Sequence, residues 1–165
     1  MLRIGEKYVY GTSGVVELVD IRTECALGET KDYYVFKSPG ASCSLTYIPL
    51  DNKKLISQIR PLISKDEIYL IIRDAKNSAE HEWIEDNRKR NEKFREIISG
   101  GDRTEIVRML RSIYIEQSHR SNEGKKYFIS DENAMRKAER IIYTEFSQVL
   151  GMPVEHVHDY LLDFE

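Results

Sequence analysis

Apolar positions in the first fifty residues fall in short runs cut by turn residues. Lys7-Tyr8-Val9-Tyr10 is aromatic and β-branched, and Gly11-Thr12-Ser13-Gly14 breaks it. Val15 to Ile21 resumes an apolar strand, and Cys25 to Thr30 turns around Gly28. Asp32-Tyr33-Tyr34-Val35-Phe36-Lys37 has strong β propensity, Ser38-Pro39-Gly40 stops it, and Ser44 to Pro49 makes a last strand. β-branched and aromatic residues fit a pleated, half-buried surface, so the pattern predicts four short strands curled into a small sheet or SH3-like barrel.

From Ser64 the period becomes helical. Ser64-Lys65-Asp66-Glu67 forms a capping box in front of Ile68, Leu70, Ile71 and Ile72. Asn77-Ser78-Ala79 interrupts, and a polar helix is predicted from near Glu82 to Ile98, with Phe94, Ile97 and Ile98 inward. Ser99-Gly100-Gly101 ends it, since glycine tolerates the left-handed cap. Asp102 caps the next helix, whose stripe is Ile106, Met109, Leu110 and Ile113. The polar stretch His119 to Lys126, with Gly124, reads as a loop. Ser130-Asp131 opens a helix carrying Ala134, Ala138, Ile141, Ile142, Val149 and Leu150. Gly151 stops it, and Pro153 opens a last helix with Val154, Val157, Leu161 and Leu162.

The chain thus divides into a β half and a helical half, an α+β class in which two domains are expected. The expected layout is a β domain over residues 1–52, a linker over 53–63, and an all-helical bundle over 64–165.

Composition narrows the function. At 41% hydrophobic and 32% charged, the chain can build packed cores. No apolar run approaches the ~20 residues of a membrane helix, and Met1 to Glu6 lacks the apolar core of a signal peptide, so a cytoplasmic protein is expected. The two cysteines, Cys25 and Cys43, read as reduced thiols. The net charge of −3 argues against coating DNA by bulk attraction. Phosphate-binding loops, the GxSxG elbow and HExxH are all missing, so no enzymatic activity and no cofactor are expected. His156 and His158 stand two apart on a helix and point to different sides, which speaks against a metal site.

Two features stand out. Arg88-Lys89-Arg90-Asn91-Glu92-Lys93-Phe94-Arg95 sets five basic residues against one acid. It is either a solvated helix face with internal ion pairs or a stripe that contacts phosphates. Trp83, the single tryptophan, sits among His81, Glu82, Glu85 and Asp86 rather than in an apolar stripe. It is either a core or inter-domain residue, or an exposed aromatic of the kind that wedges a duplex from the minor groove.

The order of these features over nearly the whole chain resembles the CarD/CdnL family of bacterial transcription regulators. The resemblance rests on Ile4-Gly5-Glu6-Lys7-Tyr8-Val9-Tyr10 with Gly14-Val15-Val16, on Lys31 to Phe36, and on Tyr47-Ile48-Pro49. In the helical half it rests on Trp83, on Phe94 to Asp102, on Ile106 to Leu110, and on Lys137 to Glu145. It departs from the family at Gly11-Thr12-Ser13, where a proline and a histidine are common, and in the spacing and acidic surroundings of Trp83. The resemblance implies a Tudor-like N-terminal domain that binds the RNA polymerase β subunit, and a helical domain that meets the upstream edge of the promoter bubble. Arg22 falls at a basic polymerase-contact position, and Tyr47, in another departure, stands where some members have a second basic one; Tyr34 completes the expected polymerase-binding set. Trp83 matches the family's minor-groove tryptophan, with Arg88, Lys89 and Arg90 as the expected phosphate contacts. Contact with promoter DNA would not be sequence-specific, and a monomer is expected. The edge available for strand addition to polymerase is expected near Lys31 to Lys37 or Ser44 to Ile48. An SH3-like plus helical module for RNA or another protein is the alternative, and the polymerase-binding module of a repair coupling factor is a third.

Overall fold

The computed structural model describes residues 2–26, 29–38, 44–77 and 83–163. These divide into two compact units, Met1–Leu62 and Ile63–Glu165. Gly28, Pro39, Gly40, Cys43, Ser78, Ala79, Glu80, His81 and Glu82, which enter the turn and helix-start expectations above, lie outside the described residues.

The first unit is an antiparallel sheet of β1 (Lys7–Tyr10), β2 (Val15–Ala26), β3 (Glu29–Lys37), β4 (Leu45–Pro49) and β5 (Ile59–Pro61), with a single-turn helix α1 (Lys53–Ile56) before the last strand. The strand order is β4-β3-β2-β1-β5, so β4 and β5 are the edges and the sheet is not closed. Alternation sets its two faces. Tyr8, Val16, Leu18, Tyr34, Phe36 and Ile48 meet in one core cluster. A bulge between Leu18 and Asp20 takes up Val19 and restores the alternation further along β2. The stretch expected as a linker instead carries α1 and β5, and β5 pairs with β1 through Tyr8↔Pro61, Val9↔Arg60 and Tyr10↔Ile59. Three residues ending in proline are too short to announce a strand by alternation; pairing with β1 is what makes them one.

The second unit holds α2 (Lys65–Asn77), α3 (Asn87–Gly100), α4 (Arg103–Asn122), α5 (Ile129–Leu150) and α6 (Val154–Asp163). Their stripes converge on one core that includes Ile68, Ile72, Phe94, Ile106, Leu110, Ile113, Ile142, Phe146 and Val157. The Ser64 box forms as expected: the Ser64 amide donates to Glu67 Oε2 at 2.7 Å, and the Glu67 amide donates to Ser64 Oγ at 3.2 Å. The Ser64 amide, and then the Ser64 hydroxyl donating to Oε2 at 2.9 Å, stabilise the charged form and hold the Glu67 carboxyl below the usual carboxylate range. Gly101 and Gly151 close α3 and α5 in the left-handed conformation, with φ of 69° and 72°.

Two boundaries differ from expectation. α3 starts at Asn87, because the Asp86 carboxylate accepts the Lys89 amide at 2.8 Å and caps the helix there. Trp83 to Glu85 therefore precede the helix. α4 runs on to Asn122, through half of the predicted loop. Its polar end is held by the Arg120–Glu116 pair at 2.7 Å, one turn apart. Among the described residues, no helix is long and apolar enough to cross a membrane.

Candidate functional site

Two surfaces carry the residues singled out from the sequence, one on each unit. On the sheet, register decides which side chains meet. Asp20, Val35 and Tyr47 share one cross-strand row; Arg22, Tyr33 and Pro49 share the row two residues on. Rows two apart face the same way. The Arg22 guanidinium accordingly lies 5.7 Å from the centroid of the Tyr47 ring, and Tyr47 meets Tyr33 edge-to-face at 6.3 Å. Arg22 Nε donates to Asp20 Oδ2 at 2.9 Å, and Nη1 lies 3.6 Å from Glu24 Oε1. Both pairs are solvent-exposed, where an ion pair is worth only about 0–1 kcal/mol. A partner's carboxylate can therefore displace them at small cost.

Tyr34 falls in the intervening row with Ile21 and Ile48, on the opposite face. It is 8% exposed and packs on Phe36 at 6.3 Å. The expected polymerase contact at Tyr34 is thus corrected to a core position, for the plain reason that neighbours in a strand point to opposite sides.

β4 is one of the two edges of the sheet. Ser38 N donates to Ser44 O and Leu50 N to Asp32 O, which fixes the hydrogen-bonded pairs at even-numbered β4 positions. The N–H and C=O groups of Leu45 and Tyr47 point away from β3, off the sheet. Their side chains are 46% and 42% exposed. Most of Lys31 to Lys37, the other stretch expected as an edge, is interior, between β2 and β4.

On the helical unit, Trp83 is half-buried. Its ring meets Phe94 edge-to-face at 6.3 Å, and the Arg90 guanidinium sits 4.5 Å above it. The indole Nε1 is buried without a hydrogen-bond partner among the described residues, so what the ring shows to solvent is carbon. Arg88 and Lys89 are exposed at the start of α3, and Arg88 pairs loosely with Glu92 at 3.3 Å. Arg90 is different. It is 1% exposed, with Nε and Nη2 on the Asp131 carboxylate at 3.1 and 2.9 Å. Its Nη1 donates to the carbonyls of Ile84 and Glu85 at 2.7 and 3.2 Å, and Nη2 also donates to Asn87 Oδ1 at 3.1 Å. The expected phosphate contact at Arg90 is corrected on this ground: its donors are spent inside the fold. The spacing of Arg90, Phe94 and Ile98 was the available signal, since it sets Arg90 on the buried stripe of α3.

Asp131 had no such signal, because it lies 41 residues from Arg90. The same holds for a polar cluster in the bundle. Tyr114 donates to Glu139 Oε1 at 2.8 Å, bonds the Tyr143 hydroxyl, and packs its ring against His158. Burial, then the mutual bond, pushes the Tyr114 phenol far above the ordinary range. His158 Nδ1 bonds the Tyr143 hydroxyl at 3.1 Å, so this histidine is tied into the bundle, while His156 is exposed. Among the described residues, no group of three or more histidine, cysteine, aspartate or glutamate side chains is set to hold a metal ion.

No protein-family model and no curated protein sequence matches the chain.

Proposed function

We propose that the chain is a non-enzymatic transcription regulator of the CarD type. On this reading the open sheet is the Tudor-like module and grips the RNA polymerase β subunit through the β4 edge and the Arg22–Tyr47 face. The helical unit meets promoter DNA through Trp83, Arg88 and Lys89. One observation carries the reading. Arg22 and Tyr47, the two positions that the family resemblance assigns to polymerase contact, stack on each other beside the outward amides of β4. An edge strand with exposed apolar side chains and unpaired backbone is suited to strand addition, where main-chain bonds supply affinity and side chains supply specificity.

Docking on polymerase makes the DNA contact intramolecular, so weak intrinsic affinity suffices and the net charge of −3 is no obstacle. A carbon edge of Trp83 that fits unstacked bases shifts the promoter toward the open state only by its differential binding. About 1.4 kcal/mol of that difference gives a tenfold change in the open population.

Arg22→Glu is expected to abolish capture by a purified polymerase β lobe, and retention of that variant refutes the docking face. Trp83→Ala is expected to leave capture intact and shorten the lifetime of the open complex. A second reading, a module for RNA or another protein, draws on the packing of Trp83 against Phe94 and Arg90. Ribosome co-sedimentation without polymerase capture decides for it.

A further inference from the structure

Arg90 directs several of its hydrogen bonds at one short segment. Two of its donors go to the carbonyls of Ile84 and Glu85, the residues that follow Trp83 before α3 begins. A third reaches Asn87 Oδ1, and Asn87 also accepts from Ser130 Oγ at 3.1 Å. The guanidinium contacts two rings, Trp83 at 4.5 Å and Phe128 at 4.9 Å, and Arg120 lies 4.2 Å over Phe128. The result is a continuous stack, Trp83–Arg90–Phe128–Arg120, that ties the segment before α3 to the ends of α4 and α5. Asp131 fixes the guanidinium in that stack through a bidentate pair. Trp83, Ile84 and Glu85 lie outside the helix, which begins from its cap at Asp86.

We infer that Arg90 is the positioning residue of Trp83: it fixes the ring and the 83–86 segment before any partner is met. A planar fork with several rigid donors suits this task, and the point charge of a lysine does not. A ring held in place beforehand loses little freedom on engagement, whereas a loose one must be ordered at the partner's expense. The link from ring position to promoter opening rests on the function proposed above; the positioning itself does not.

The test uses the full chain and its single tryptophan as the probe. Arg90→Ala strands a buried Asp131 and risks unfolding, so the variant of choice is the double exchange Arg90→Met with Asp131→Leu, which removes both charges together. In a variant that melts cooperatively, emission is expected to shift to the red and acrylamide quenching to rise severalfold. A merely structural pair alters the melting temperature and leaves Trp83 quenching unchanged in the folded state; that result overturns the inference. If the double variant folds poorly, Arg90→Lys with native Asp131 is read the same way, with intermediate quenching expected. Open-complex lifetime is measured in parallel, with Trp83→Ala as reference. If Trp83→Ala has no effect, the promoter role fails while the quenching result still decides the positioning. If Trp83→Ala shortens the lifetime and the loosened double variant does not, the inference is overturned on its functional side.

Discussion

Glu145 offers the sharpest energetic prediction. Its side chain is fully buried in α5 and accepts three charge-assisted or backbone bonds: Arg103 Nε at 2.8 Å, Arg103 Nη2 at 2.8 Å, and the Ile63 amide at 3.1 Å. Replacing it with alanine takes a buried carboxylate from the Arg103 guanidinium, 16% exposed, and from the Ile63 amide. Breaking a buried ion pair by removing one partner costs about 3–5 kcal/mol. That is a large share of the roughly 5–15 kcal/mol that holds a domain together. Arg108 supplies the internal control. It bonds Asp74 at 2.6 Å, a shorter contact, yet both side chains are more than a third exposed. Asp74→Ala is therefore expected to cost at most about 1 kcal/mol. Glu145→Gln, which keeps shape and one acceptor oxygen, should fall between the two. The assay is urea unfolding of the full chain followed by Trp83 fluorescence, which reports on the helical unit. For a unit of this size, 3 kcal/mol also lowers Tm by on the order of 10–20 °C. Equal destabilisation by Glu145→Ala and Asp74→Ala refutes the premise that burial, rather than contact distance, sets the value of these pairs.

Further outcomes follow from the same geometry. Asp86→Ala, which removes the cap on Lys89 N, is expected to cost about 1 kcal/mol and fray the start of α3, read by amide exchange at residues 87–90; unchanged exchange counts against the cap. Phe94→Ala is expected to cost about 3–5 kcal/mol and to red-shift Trp83 emission, since the ring loses its edge contact; a stable variant with native emission contradicts this. The Glu67 carboxyl is depressed chiefly by the Ser64 amide, so its contribution is present above the ordinary carboxylate pKa and is lost as pH falls through the folded-state value. Glu67→Gln should thus lower stability near neutrality and converge with the parent chain in acid; a difference independent of pH speaks against the assignment.

Much of the architecture was legible in the residues. The Ser64 box, the Gly101 and Gly151 caps and the Asp102 cap each rest on interactions within a few positions of one another, which write themselves into short patterns, and the four longer strands showed as runs of β-branched and aromatic residues. Helical periodicity also marked the core of the bundle, because 3.6-residue spacing survives packing.

What tertiary structure alone decided is how groups distant in sequence share space. β5 became a strand only by lying against β1, 50 or so residues earlier in the chain. Tyr34 became core, and Arg22 and Tyr47 became neighbours, through strand register, which a single-residue slip would reverse. Arg90 looked like one more cation in a basic run until Asp131, brought in from α5, gave its charge a reason to be buried. The charge pattern of a segment states what it carries; only the fold states which charges face water and which have found their partners inside.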